Sequence, residues 1–128
     1  MTSNQAQDVF INCPFDDDYK PLFEALVFTI TASSYRVRCA LEEDNAVDIR
    51  LVRLYKLINE SAKSVHDLSR VELNPAGMPR FNMPFELGLF SGAKRFGSRS
   101  HRTKSALVMI REPYRLPVYF SDFAGADK

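Results

Sequence analysis

Tryptophan is absent from the 128-residue chain, and cysteine and glycine are scarce, at two and five residues. Two cysteines, Cys13 and Cys39, are too few for a disulfide framework and lack zinc-ligand spacing, so we expect buried free thiols in a reducing, cytoplasmic compartment. The sequence contains no glycine-rich phosphate loop and no nucleophile elbow. Without tryptophan, and with aromatic residues that follow the predicted core, we expect no direct binding of nucleic acid.

An excess of either charge is also lacking, since the formal net charge is +1. No global field therefore points to nucleic acid or to a membrane surface. No apolar run approaches 18 residues and the N-terminus has no signal pattern, so we expect no membrane contact. Basic residues concentrate only in residues 94–104. We interpret this run as a solvated loop, with a phosphate or partner contact as the alternative.

What the sequence does contain is a regular alternation of strand and helix patterns. Strands are predicted at 9–11, 35–41, 64–68 and 105–110, with helices between them, the third at 83–93. The acidic residues 16–18 predict the start of the first helix, through capping and the helix dipole. The order β-α-β-α-β-α-β predicts a flavodoxin-like parallel α/β sheet with helices on both faces and strand order 2-1-3-4.

One domain is expected over residues 1–128, with a structured core at 8–124. The chain ends soon after the fourth predicted strand, and residues 119–124 would only begin a further helix. We therefore expect a thin last layer, in which a final strand or helix is lacking or is shared with a partner or a longer parent chain.

The topology nominates a site before any reaction is considered. Ligands of such sheets bind outside the carboxyl ends of the strands, where the strand order reverses. That position corresponds to residues 12–15 and 67–70. For Asp67 the alternatives are a turn, a cap or an ion pair, against hydrogen bonding to a sugar hydroxyl. Phe15 either packs in the core or stacks on a base, and Arg38 is either an exposed strand residue or a phosphate contact.

Glu86 is the most informative single residue. Residues 83–93 are apolar on every side except at Glu86 and Ser91, and a helix that is apolar all round is typically buried. A carboxylate there must be paired, protonated or facing a cleft, and desolvation would raise its pKa, which suits catalysis. The alternative is an acid that merely interacts with the helix dipole in the first turn. Composition does not decide between the two.

Several stretches resemble domains of the Toll/interleukin-1 receptor (TIR) family. They are residues 8–16 (DVFINCPFD), 57–61 (LINES), 64–69 (SVHDLS) and 85–87 (FEL). These are similar to the first strand and its loop, a helix end, the following strand, and a helical glutamate–leucine pair. The chain departs from the family where Asn12 and Cys13 replace the usual serine and tyrosine, and where residues 82–84 replace a tryptophan–cysteine pair.

The resemblance implies an NAD+ glycohydrolase that cleaves the nicotinamide–ribose bond, with NAD+ as substrate and neither a cofactor nor a metal. Glu86 would stabilise or attack the ribosyl carbon, Asp67 and Ser69 would hold the ribose, Phe15 would stack on a ring and Arg38 would contact phosphate. The residues expected to bind substrate are Asn12, Pro14, Phe15, Arg38, Asp67, Ser69 and Asn82. Such domains act in assemblies, so we expect self-assembly or a partner protein, and a role as effector in bacterial immune signalling or antiphage defence.

A second resemblance leads to a related reaction. Nucleoside 2-deoxyribosyltransferases use a strand-end aspartate and an E-x-G pattern on the next helix, to which Asp67 and residues 86–88 are similar. Both families break an N-glycosidic bond with the help of a carboxylate. A nucleoside or nucleotide N-glycosidase is therefore the first alternative, and a non-catalytic interaction or nucleotide-sensing module is the second.

Overall fold

The computed structural model describes residues 6–42, 50–69 and 82–111 of the protein. Strands and helices alternate along these residues as predicted. The elements are β1 (Asp8–Asn12), α1 (Lys20–Ala32), β2 (Arg36–Arg38), α2 (Arg50–Glu60), β3 (Lys63–Asp67), α3 (Asn82–Phe96) and β4 (Ser105–Met109), with a short 3-10 helix at Arg99–His101. The predicted helix at 119–124 lies outside the described residues.

The four strands form one parallel sheet in the order β2-β1-β3-β4, which confirms the predicted topology. The chain passes from β1 to β2 at one edge and then returns to β3 on the other side of β1, so the strand order reverses beside β1. Asn12, the last residue of β1, lies opposite His66 of β3. The carboxyl ends of these two strands therefore lie side by side at the reversal point.

Strand β1 is the centre of the core, and all five of its residues are buried. Alternate side chains of a strand point to opposite faces of the sheet. Val9 and Ile11 pack in one cluster with Ile30 of α1. Phe10 packs in a second cluster with Phe90 of α3 and apolar residues of α2. Helix α1 thus covers one face of the sheet, and α2 and α3 cover the other.

The second strand is shorter than predicted, because a turn replaces its second half. The carboxylate of Glu42 accepts a hydrogen bond from the Cys39 amide, and the Glu42 amide donates to the Cys39 carbonyl. Helix α3 is longer than predicted, and it ends at Phe96 rather than residue 93. Lys94 and Arg95 lie in its last turn, where the helix dipole favours cations.

The acidic residues before α1 do not cap it through their side chains as predicted. The helix begins after Tyr19, which forms no side-chain capping bond, and its first turn contains Pro21 and no acid. Asp16 instead accepts a hydrogen bond from the Tyr19 amide in the preceding turn. No helix among the described residues is long and apolar enough to cross a membrane.

Candidate active site

Glu86 lies on the face of α3 that packs against the sheet, one turn before the buried Phe90. It is 8% exposed, and no described residue forms a hydrogen bond or ion pair with its carboxylate. Burial raises the pKa of Glu86 to about 7, while the charge of Arg50 acts in the opposite direction. A first-turn acid governed by the helix dipole would have a lowered pKa. Glu86 lies beyond the first turn of α3, and its raised pKa reflects desolvation and not the helix dipole.

A chain of buried polar groups connects the ends of β1 and β3 to the start of α3. The side-chain Nδ2 of Asn12 lies 2.8 Å from His66 Nδ1 and donates to the Met83 carbonyl oxygen at 2.9 Å. The other imidazole nitrogen of His66 lies 2.7 Å from the Ser64 hydroxyl. Burial lowers the pKa of His66 to about 3, so its ring is neutral. The Asn12 side chain therefore holds α3 against the sheet three residues before Glu86.

Asp67 is buried on the opposite face of the sheet from the Asn12 and His66 side chains. Its Oδ2 accepts a hydrogen bond from the Tyr19 hydroxyl, and its Oδ1 accepts one from the Ser69 amide at 2.7 Å. The turn that sequence analysis weighed for Asp67 is therefore present. A carboxylate offers about four acceptor positions, so these two bonds leave capacity for a ligand.

Cys13 is a buried thiol directly after β1. Burial raises its pKa to about 12, and the charges of Asp67 and Glu86 add to the effect. Both carboxylates thus act electrostatically on one sulfur, although Asp67 lies on the α1 face of the sheet and Glu86 lies on α3, which covers the other face. A thiol with so high a pKa is not a nucleophile at neutral pH. The expectation of buried free thiols holds for both Cys13 and Cys39.

Three further predicted residues surround this edge. Pro14 is buried directly after β1, and Asn82 is exposed at the first position of α3. Phe15 is 36% exposed, and its ring contacts Phe23 of α1 edge to face, with 5.5 Å between the ring centroids. One edge of the Phe15 ring is therefore packed, and the rest of the side chain is accessible, as stacking on a ligand would require.

Arg38 is not brought to the site. Its guanidinium donates to Asp8, Glu42 and Glu60 at 2.7–2.9 Å, and only 12% of the side chain is exposed. Burial opposes the charged form, but these hydrogen bonds outweigh it and the pKa of Arg38 is raised. Asp8 begins β1 and Glu60 ends α2, so this cluster lies toward the amino edge of the sheet. The contacts of Arg38 favour a structural ion-pair role over the predicted phosphate contact.

The basic run is not wholly the solvated loop that was predicted. Lys104 is completely buried, and its ammonium donates to the carbonyl oxygens of Ile58, at 2.8 Å, and Ser61. It also lies 5.1 Å from the centre of the Phe90 ring. Burial lowers the pKa of Lys104 to about 8. This residue closes the carboxyl end of α2, where the helix dipole favours a cation.

Two residues of the site were missed in the sequence analysis. Arg50, the first residue of α2, acts electrostatically on Glu86, and Tyr19 holds Asp67. The topology could have predicted the position of Arg50, because helices that follow parallel strands begin near the carboxyl ends of those strands. Tyr19 gave no signal, because it is separated from Asp67 by 48 residues.

No model of a known protein family matches the chain. No curated protein gives a significant match. Within the described residues no group of three or more histidine, cysteine and acidic side chains is arranged to hold a metal ion.

Proposed function

We propose that the protein cleaves N-glycosidic bonds, with the nicotinamide–ribose bond of NAD+ as the preferred target and Glu86 as the catalytic carboxylate. One observation carries the proposal. Glu86 is buried on the helix that Asn12 ties to the carboxyl end of β1, and its carboxylate has no hydrogen-bond or ion-pair partner among the described residues. The packing of α3 offsets the free-energy cost of desolvating Glu86. Buried acids with perturbed pKa values are typical of functional sites.

The chemistry of NAD+ cleavage requires only one carboxylate. When the bond to the pyridinium nitrogen breaks, its electron pair returns to the ring, and nicotinamide leaves as a neutral molecule without needing a proton. Positive charge develops on the ribosyl carbon, to which water or the carboxylate then adds, and water addition gives ADP-ribose and a proton. An ionised Glu86 stabilises this positive charge, and the low local dielectric strengthens the interaction.

In this proposal the other predicted residues have supporting roles. Asp67 and Ser69 hold the ribose from the end of β3, Phe15 stacks on a ring, and Asn12, Pro14 and Asn82 shape the pocket. Arg50 takes the role of phosphate contact that sequence analysis gave to Arg38, since Arg50 is exposed and acts on Glu86. Assembly with further copies or with a partner protein completes the site, in keeping with an effector role in bacterial defence.

The alternative of a nucleoside N-glycosidase is favoured by one observation, the presence of two buried carboxylates, Asp67 and Glu86, near the same sulfur. Most bases of neutral nucleosides leave as anions unless they receive a proton. Cleavage of a nucleoside therefore also requires a general acid, and one of the two carboxyl groups would serve as that acid. NAD+ cleavage has no such requirement.

The test is release of free base from NAD+ and, separately, from 2′-deoxynucleosides. Wild type and Glu86→Gln are compared at high protein concentration, so that assembly is not limiting. Nicotinamide release that depends on Glu86 supports the NAD+ glycohydrolase. Release from nucleosides alone supports the alternative enzyme. If concentrated wild type releases no base from either substrate, the proposal fails and a non-catalytic interaction module replaces it.

A further inference from the structure

The amide of Asn12 has only one orientation that its neighbours permit. The Met83 carbonyl oxygen has no proton to donate, so the Asn12 atom 2.9 Å from it must be the nitrogen. The same nitrogen lies 2.8 Å from His66 Nδ1, which must then accept. The proton of the neutral ring is consequently on Nε2, which donates to the Ser64 hydroxyl. The tautomer of His66 and the orientation of Asn12 therefore fix each other.

This orientation leaves an acceptor unused. The Oδ1 of Asn12 is buried and has no hydrogen-bond partner in the described part of the chain, although the residue is only 2% exposed. A buried carbonyl oxygen without a hydrogen-bond partner costs stability, and this cost alone would favour rotation of the amide. The two bonds from Nδ2 hold the amide against this cost. Asn12 is thus a rigid link between β1, β3 and α3.

The link is made at the turn that supports Glu86. Side chains of a helix lean toward its amino terminus, so the Glu86 side chain covers the turn that begins at Met83. The hydrogen bond from Asn12 ends on the carbonyl of that same residue. Movement of this turn away from β1 would open a path for water to the carboxylate.

We propose that Asn12, locked by the neutral ring of His66, is a positioning residue that holds the first turn of α3 on β1 and keeps water from Glu86. The inference rests on the proposed function, in which Glu86 acts on the substrate. Asn12 acts through the position of the helix, and not through the contact with substrate that was predicted from the sequence.

The test is a carbon-13 NMR titration of the Glu86 carboxyl group in wild type, Asn12→Ala and Val65→Ala. Val65 is the buried neighbour of His66 on β3 but belongs to the cluster on the α1 face, so its truncation destabilises the core without touching α3. We expect the pKa of Glu86 to fall from about 7 toward its ordinary value of 4.5 in Asn12→Ala only. An unchanged pKa in Asn12→Ala, or an equal fall in Val65→Ala, would overturn the proposal.

A measurement on wild type keeps the proposal testable if Asn12→Ala does not fold. Nitrogen-15 spectra of the His66 ring should show a neutral ring with its proton on Nε2 between about pH 5 and 8. A proton on Nδ1, or a charged ring, would remove the lock and contradict the proposal. Neither experiment depends on turnover, so failure to cleave NAD+ would overturn the proposed function and leave this inference to be decided by the spectra.

Discussion

The hydroxyl of Tyr19 donates a hydrogen bond to Oδ2 of Asp67, and both side chains are almost completely buried. The bond joins the residue before α1 to the end of β3. Asp67 is thereby held by two donors, Tyr19 and the Ser69 amide, whereas Glu86 has no hydrogen-bond partner among the described residues. The two candidate acids thus differ in environment, since Asp67 is held by hydrogen bonds and Glu86 is not, which fits the different roles proposed for them.

Removal of the Tyr19 hydroxyl should destabilise the fold. Tyr19→Phe leaves a buried carboxylate oxygen of Asp67 without its donor, which costs about 1–3 kcal/mol. Urea denaturation measures the loss. Tyr35→Phe is the matched control, because Tyr35 is only partly buried, and we expect its change to stay within about 0.5 kcal/mol. Equal stabilities for the two variants would show that the bond to Asp67 contributes nothing.

Replacement of Arg38 should lower stability, whereas replacement of Arg50 should weaken substrate binding. Arg38→Met leaves the buried Asp8 with Arg36 as its remaining ion-pair partner, and should cost about 3 kcal/mol in the free energy of unfolding at neutral pH. Arg50→Met should leave stability nearly unchanged and raise KM for NAD+ roughly tenfold, the effect of about 1.4 kcal/mol of lost phosphate contact. A raised KM in folded Arg38→Met, with none in Arg50→Met, would restore the phosphate role to Arg38.

The stability cost of Arg38→Met should also depend on pH. Burial acts to raise the pKa of Asp8, but the hydrogen bonds from Arg36 and Arg38 outweigh it and the pKa is lowered. The stabilisation from this carboxylate is therefore present at neutral pH and is lost as the pH falls through the lowered pKa. The difference in the free energy of unfolding between wild type and Arg38→Met should therefore become smaller as the pH falls.

Much of the fold follows from the sequence, because local patterns and the rules of parallel sheets depend on nearby residues. Val9 to Ile11 is an apolar run flanked by polar residues, and right-handed crossovers then fix the strand order. The burial of Glu86 follows from the apolar residues around it. Most partners of Arg38 and Lys104 could not be predicted, because Asp8 and Glu60 for Arg38, and Ile58 and Ser61 for Lys104, lie 22 to 46 residues away in sequence.

Replacement of Lys104 should weaken the packing of α2 on α3. Lys104→Met removes the donor to the carbonyls of Ile58 and Ser61 and should cost about 1–3 kcal/mol. Lys94→Met, at an exposed position of α3, should change stability by less than about 0.5 kcal/mol. Thermal or urea denaturation compares the two. If they behave alike, the buried ammonium does not stabilise the end of α2.

The ionisation of Glu86 should make stability depend on pH. Its folded pKa of about 7 lies above the ordinary 4.5, so the stability it contributes is complete below pH 4.5 and is lost as pH rises through 7. Glu86→Gln, which stays neutral, should be more stable than wild type by up to about 3 kcal/mol above pH 7, with little difference near pH 4.5. A variant that is less stable than wild type at every pH would indicate a paired, structural carboxylate instead.

The most direct measurement is the rate of nicotinamide release from NAD+ by wild type, Glu86→Gln and Glu24→Gln. Glu24 is exposed on α1, so its replacement makes the same chemical change away from the site. We expect Glu86→Gln to remain folded and to release nicotinamide about 100-fold more slowly or slower still, while Glu24→Gln matches wild type. Release by wild type that persists in folded Glu86→Gln would contradict the assignment of Glu86 as the catalytic carboxylate.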